Sequence, residues 1–140
     1  MKKLLILLLF SFSLIAEEKL VLICEGTMTN ELGDTKKIHS YKKSMVLKID
    51  DKGINVDDMR YERASIQNDS LYEEYANYEK DEDKISYYNE ITNRSDGTLS
   101  SFSSGTINRM TAEFKELSYI RRTSLYSSFE GKCKKAERAF

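Results

Sequence analysis

The chain has 140 residues, 22 basic against 23 acidic side chains, one histidine, two cysteines and no proline. That length suits one domain, and a net charge of −1 gives no strong overall field for a polyanion, which disfavours a nucleic-acid partner. With one histidine, any His-dependent triad, dyad or zinc site has to run through His39, which sits in a polar stretch beside Lys36, Lys37 and Ser40.

Residues 1–16 read as a cleaved signal peptide. Lys2 and Lys3 form a positive start, Leu4 to Ile15 an apolar run too short to span a bilayer with its own flanks, and Ala16 a small residue at the cleavage position. Leu14 three residues before the cut leaves cleavage after Ser13 as the fallback. Cys24 follows the run, but Ile23 is bulky and Glu17-Glu18-Lys19 intervenes, which argues against a lipid-attachment site. An uncleaved anchor is the other alternative, and no second long apolar run occurs downstream. Residues 17–140 then form a single domain with 20 basic and 23 acidic side chains, a net charge of −3. The expected location is the bacterial periplasm or exterior, with no stable membrane span in the mature form.

The mature chain has the texture of antiparallel β structure. Leu20, Leu22, Cys24, Gly26 and Met28 alternate with Val21, Ile23, Glu25 and Thr27. Tyr41 to Ile49 puts Tyr41, Met45, Leu47 and Ile49 on one face. Asp50-Asp51-Lys52-Gly53 is a hairpin turn in which Gly53 can take positive φ, and Ile54 to Tyr61 returns. Residues 70–80 are ambiguous: Ser70 with Glu73 makes a capping box and Leu71, Tyr75 and Tyr78 fall at helical spacing, yet tyrosine favours strands. Both readings stay open. Lys84 to Thr92 with Ile85, Tyr87 and Ile91, the turn Ser95-Asp96-Gly97, and strands near 98–102, 106–110, 113–120 and 125–133 complete the pattern. The fold class is mainly β, a single antiparallel barrel or sandwich of about seven to nine short strands.

In an oxidising compartment Cys24 and Cys133 have one possible pairing. Cys24-Glu25-Gly26 mirrors Gly131-Lys132-Cys133, so placing Cys24 opposite Cys133 on antiparallel strands seats Gly26 opposite Gly131. Those glycines open space beside the bridge for a large side chain such as an aromatic. The staple then joins the first and last strands and the sheet is closed or nearly so.

Catalytic and metal signals are thin. Ser40-Tyr41-Lys42-Lys43 fits the S-x-x-K pattern of penicillin-binding enzymes, but the companion S-D-N and K-T-G elements do not occur. Glu79 to Asp83 and Asp57-Asp58 lack the spacing of a calcium loop and read as solvated turns. No cofactor motif occurs, and acidic residues are plentiful without any pair marked for glycoside hydrolysis. The basic cluster Lys132, Lys134, Lys135 and Arg138 is interrupted by Glu130 and Glu137 and reads as a solvated chain end. The sequons at Asn68 and Asn93 matter only in a glycosylating host.

Of nine tyrosines, Tyr72, Tyr75, Tyr78, Tyr87 and Tyr88 are grouped mid-chain. Amphipathic aromatic faces bind small molecules or proteins, so these five are the candidate ligand-binding residues.

The leader, Cys24-x-Gly26, the run Ser104 to Thr111 and the closing Phe129-x-Gly131-x-Cys133 resemble small exported bacterial β proteins with a terminal-strand cysteine pair. The frame departs at Ala112, where a Thr-Gly turn would place glycine. The resemblance implies an antiparallel β fold and transfers no catalytic residue. The expectation is a non-catalytic binding module with a small-molecule or protein partner. The alternatives are an inhibitor of a wall-degrading enzyme, meeting a basic partner through an acidic face, and a small carboxylate-dependent hydrolase.

Overall fold

The computed structural model describes residues 19–62 and 65–136, the side chains of Ser65 and Gln67 excepted. The leader at 1–16, its cleavage site, Glu137 and Arg138 lie outside the described residues. Among the described residues ten strands form one antiparallel sheet: β1 (Leu20–Leu32), β2 (Lys37–Ile49), β3 (Gly53–Val56), β4 (Met59–Glu62), β5 (Ser65–Asn68), β6 (Tyr72–Lys80), β7 (Lys84–Asn93), β8 (Leu99–Asn108), β9 (Glu113–Ile120) and β10 (Leu125–Lys135). Arg121–Thr123 is one turn of 3-10 helix.

The sheet order β4-β3-β2-β1-β10-β9-β8-β7-β6-β5 is the chain order wrapped into a ring. Each strand pairs with its neighbours in sequence, β10 returns to pair with β1, and the only seam lies between β4 and β5. Residues 63 and 64 alone link those two edges, so covalent reach holds Glu62 and Ser65 within about 11 Å. Cα atoms of β4 come within 8 Å of β6 and β7, and the sheet is a nearly closed barrel.

Side chains hold the seam where no ladder does. The Tyr61 ring on β4 lies 4.5 Å from the Tyr87 ring on β7, and the Tyr78 hydroxyl on β6 donates to the Asp50 carbonyl at 2.9 Å. Curling the sheet in this way removes most of the exposed edge that an open sheet would present.

At the join of first and last strands the expected register is present. Cys24 stands opposite Cys133 and Gly26 opposite Gly131, the disulfide is formed, and the two Cα atoms are 3.9 Å apart. A Cβ on Gly131 would sit 2.8 Å from Cζ of Phe129 and 2.6 Å from the Glu25 carbonyl oxygen. The aromatic beside the bridge is therefore Phe129, and the glycines are required by close approach of two backbones and a ring.

Alternation places the core. Leu22, Cys24 and Met28 of β1, Met45, Leu47 and Ile49 of β2, and Ile54 and Val56 of β3 face inward and are buried, and Phe114 and Phe129 stack beside them with ring centroids 5.5 Å apart. Full burial of each such side chain contributes roughly 1.5–3 kcal/mol.

One open reading is settled and three local expectations are revised. Residues 72–80 are strand, laddered to β7 from Tyr72↔Asn93 to Lys80↔Ile85. The capping side chain is Asp69, whose Oδ1 accepts the amides of Leu71 and Tyr72 at 2.7 Å, so it closes a turn and not a helix. Ile54 to Tyr61 is two strands, because Asp57 takes φ 50° and reverses the chain. Residues 98–110 give one strand, β8, in place of two. Gly53 does not take positive φ; among the described glycines only Gly97 does, at 69°. A Cβ on Gly53 would instead collide with the Tyr61 carbonyl oxygen on the paired strand. Ala112, where glycine was expected, accepts φ 60°.

Candidate functional site

The alternation that packs the lower barrel also fixes what faces inward above it. Counting in twos from Met28, Phe129, Phe114, Ile107 and Tyr87 reaches Asn30, Ser127, Ser118, Ser103 and Asn89. These five stand opposite one another on successive strands: Asn30↔Ser127, Ser127↔Ser118, Ser118↔Ser103 and Ser103↔Asn89. All five are half-buried. The inner wall thus changes from apolar to polar within one row, at the end of the barrel that carries the β1–β2, β7–β8 and β9–β10 turns.

The row beneath runs Met28, Phe129, Glu116, Gly105, Tyr87 and Tyr78. Gly105 has no side chain, so the Tyr87 ring crosses β8 in its place, and the Tyr87 hydroxyl donates to Glu116 Oε2 on β9. From the seam, the Tyr61 hydroxyl pairs with Ser103 Oγ at 2.8 Å. Beside this group Lys43 Nζ lies 3.6 Å from Asp57 Oδ2, and Glu74 Oε1 accepts from Asn89 Nδ2 at 2.6 Å.

Burial sets the protonation states. It raises the Glu116 carboxyl above its ordinary value, with the Tyr87 hydrogen bond and the charge of Lys43 acting in opposition. Burial, followed by the nearby Glu116 charge, raises Tyr87 well beyond the ordinary phenol value, and burial raises Tyr61 as well. Both tyrosines therefore stay protonated at neutral pH. Glu116 Oε2 is occupied by Tyr87, while Oε1 has no hydrogen-bond partner among the described residues. No buried side-chain oxygen or nitrogen among them is left unpartnered, so Oε1 is open to solvent. The site combines small hydroxyls, amides and a carboxylate oxygen held at fixed positions by a rigid sheet.

The five tyrosines singled out from the sequence do not share one surface. Tyr78 and Tyr87 are buried in the core. Tyr75 and Tyr88 pair on the outer face with centroids 6.3 Å apart, and Tyr72 is 42% exposed at the start of β6. The hydrogen bond from Tyr88 to Glu90, aided by burial, pushes its phenol up to about 12. Tyr61, Ser103, Gly105 and Glu116 were not marked by sequence reasoning. The only signal for them is the serine-rich run Ser100 to Ser104 ending at Gly105, whose facing depends on strand register.

No family model matches the chain, and neither a curated protein nor a solved structure matches it. Among the described residues no helix is long and apolar enough to cross a membrane.

Proposed function

We propose that this is an exported, non-catalytic binding protein of the periplasm or cell exterior whose polar barrel end holds a small, hydrogen-bonding ligand such as a sugar or a small amine. The observation that carries the reading is Glu116: a half-buried carboxyl with one oxygen fixed by Tyr87 and the other open, under a row of Asn30, Ser127, Ser118, Ser103 and Asn89. Few, well-placed polar groups on a rigid wall are what orient a small ligand. The charged and apolar leader, and a disulfide that persists in oxidising compartments, support export. The resemblance of its Cys-x-Gly and Gly-x-Cys frame to small exported bacterial β proteins supports the same reading.

The inhibitor reading needs a projecting acidic loop. The acid-rich segment is instead a hairpin turn of Asp81 to Asp83, folded back by Asp81 Oδ1, which accepts the amides of Asp83 and Lys84. That geometry favours the binding module.

Thermal-shift and calorimetric titration of a panel of monosaccharides and small amines tests the reading. At least one class should raise the melting temperature of the wild type and lose at least tenfold in affinity in Glu116→Ala. A panel that shifts neither protein, or shifts both equally, removes the site. Fractionation should recover a species beginning near Glu17 outside the cytoplasm; full-length cytoplasmic protein would overturn export.

A further inference from the structure

The opposite end of the barrel, where β1 begins and β10 ends, carries a different chemistry. Lys80, Arg109 and Lys135 extend the inward-facing positions of Tyr78, Ile107 and Cys133 by two residues. With Lys19 they surround a cavity of about 420 Å³ whose other lining residues are Leu20, Val21 and Ala136. Four of seven lining residues are cationic and none is acidic. A second cavity of about 260 Å³ shares Leu20, Arg109 and Lys135 with the first, and is floored by Leu22, Ile85, Ile107 and Cys133. A cationic rim therefore runs directly into an apolar floor.

The cations are only partly engaged. Lys80 Nζ is 3.7 Å from the exposed Asp51 carboxylate. Arg109 donates from Nη1 to the Asp81 carbonyl and from its backbone amide to the Asp83 carbonyl, and its remaining guanidinium N–H groups have no acceptor among the described residues. Lys19 and Lys135 make no ion pair among them. The flanking acids in the sequence are Glu17, Glu18 and Glu137 at the chain ends and Glu79 and Asp81 on either side of Lys80; the Asp81 carboxylate is turned back onto the amides of Asp83 and Lys84.

We infer that this end binds a single-chain amphipathic anion, its headgroup held by Lys80, Arg109 and Lys135 and its alkyl chain lying on Leu20, Leu22 and Cys133. Guanidinium and ammonium groups hold a carboxylate or phosphate head by charge-assisted hydrogen bonds. Their aliphatic stems extend the apolar floor to the rim. A bare inorganic anion would leave that floor unused, and a neutral chain would leave the cations unused.

The test is calorimetric titration of the disulfide-bonded protein with octanoate, decanoate and dodecanoate below their micelle concentrations, with decanol and inorganic phosphate as controls. Affinity should rise up to about fourfold for each methylene buried and level off once the floor is covered. Decanol and phosphate should each bind at least tenfold more weakly than decanoate. Arg109→Gln and Lys135→Gln should each weaken decanoate several-fold at unchanged melting temperature. Glu116→Gln should leave it unaltered, which separates this end from the polar one. Equal binding of decanol and decanoate, phosphate binding as tightly as decanoate, or no response to any amphiphile overturns the assignment. Retention on vesicles containing an anionic phospholipid, without binding of monomeric decanoate, also overturns it and identifies simple surface attraction.

Discussion

Tyr87 lies across Gly105, its cross-strand partner, and through that gap its hydroxyl reaches Glu116 one strand further on. One missing side chain thus connects three strands of the barrel. The contact also fixes one oxygen of the Glu116 carboxyl on the inner wall.

Gly105→Ala should break this arrangement. Its Cβ would occupy space now filled by the Tyr87 ring, in a buried position where neither strand can yield. Overpacking of this kind costs about 1–3 kcal/mol. Chemical denaturation should show that loss. Gly33→Ala is the control, because the nearest atom to its Cβ would be 3.4 Å away, and it should change stability by less than about 0.5 kcal/mol.

Glu116→Gln should stabilise the protein at neutral and higher pH. The folded-state pKa of Glu116 is raised by burial, so its protonated form suits the fold; stability is full below the unfolded value and declines as pH rises through the folded one. An amide keeps an acceptor for Tyr87 and removes the charge. The expected gain is on the order of 1 kcal/mol at pH 8 and near zero at pH 4. A gain equal at both pH values would show that charge is not the cause.

Asp50 and Arg60 should govern the acid limb. Two guanidinium nitrogens lie 3.0 Å from the Asp50 carboxylate, and this hydrogen bonding, with help from the Lys52 and Gly53 amides and against burial, holds the Asp50 carboxyl at about 2. A depressed carboxyl contributes stability above its unfolded pKa, near 4, that is lost as pH falls towards 2. Asp50→Asn should cost about 1 kcal/mol at pH 7 and progressively less between pH 4 and pH 2 in urea titrations. A pH-independent difference would sink the ion-pair account.

Cys133→Ser should lower the melting temperature markedly. The bridge closes a loop with a sequence separation of 109, which is worth about 4–5 kcal/mol in the chain-entropy model. Adding Cys24→Ser should change little more, since both substitutions remove one bond. An unchanged melting point in the single variant would mean that the β1–β10 ladder alone holds the ends together.

Much of the fold was legible because alternation is a local property. Leu22, Cys24 and Met28 share a face whatever surrounds them, and the mirrored Cys-x-Gly and Gly-x-Cys frames define a register without reference to the rest of the chain. The terminal staple and the nearly closed sheet followed from those two facts.

What local pattern cannot carry is the identity of a strand's neighbours. Residues 72–80 had helical spacing, and became strand because β7 supplies a partner to the backbone along their whole length. The split at Asp57 depended on φ 50° at one residue, a conformation that aspartate tolerates but does not announce. The tyrosines looked like one group in sequence, yet strand register sent Tyr78 and Tyr87 inward and Tyr75 and Tyr88 outward. The candidate site lies beyond sequence for the same reason. Tyr61, Tyr87, Ser103 and Glu116 sit on four strands, and only the wrapping of the sheet brings them together. By itself the sequence determined which face each residue shares with the next but one; the tertiary structure decided which face turns inward and which side chains of non-adjacent strands meet, because both depend on the first and last strands pairing and the whole barrel closing at once.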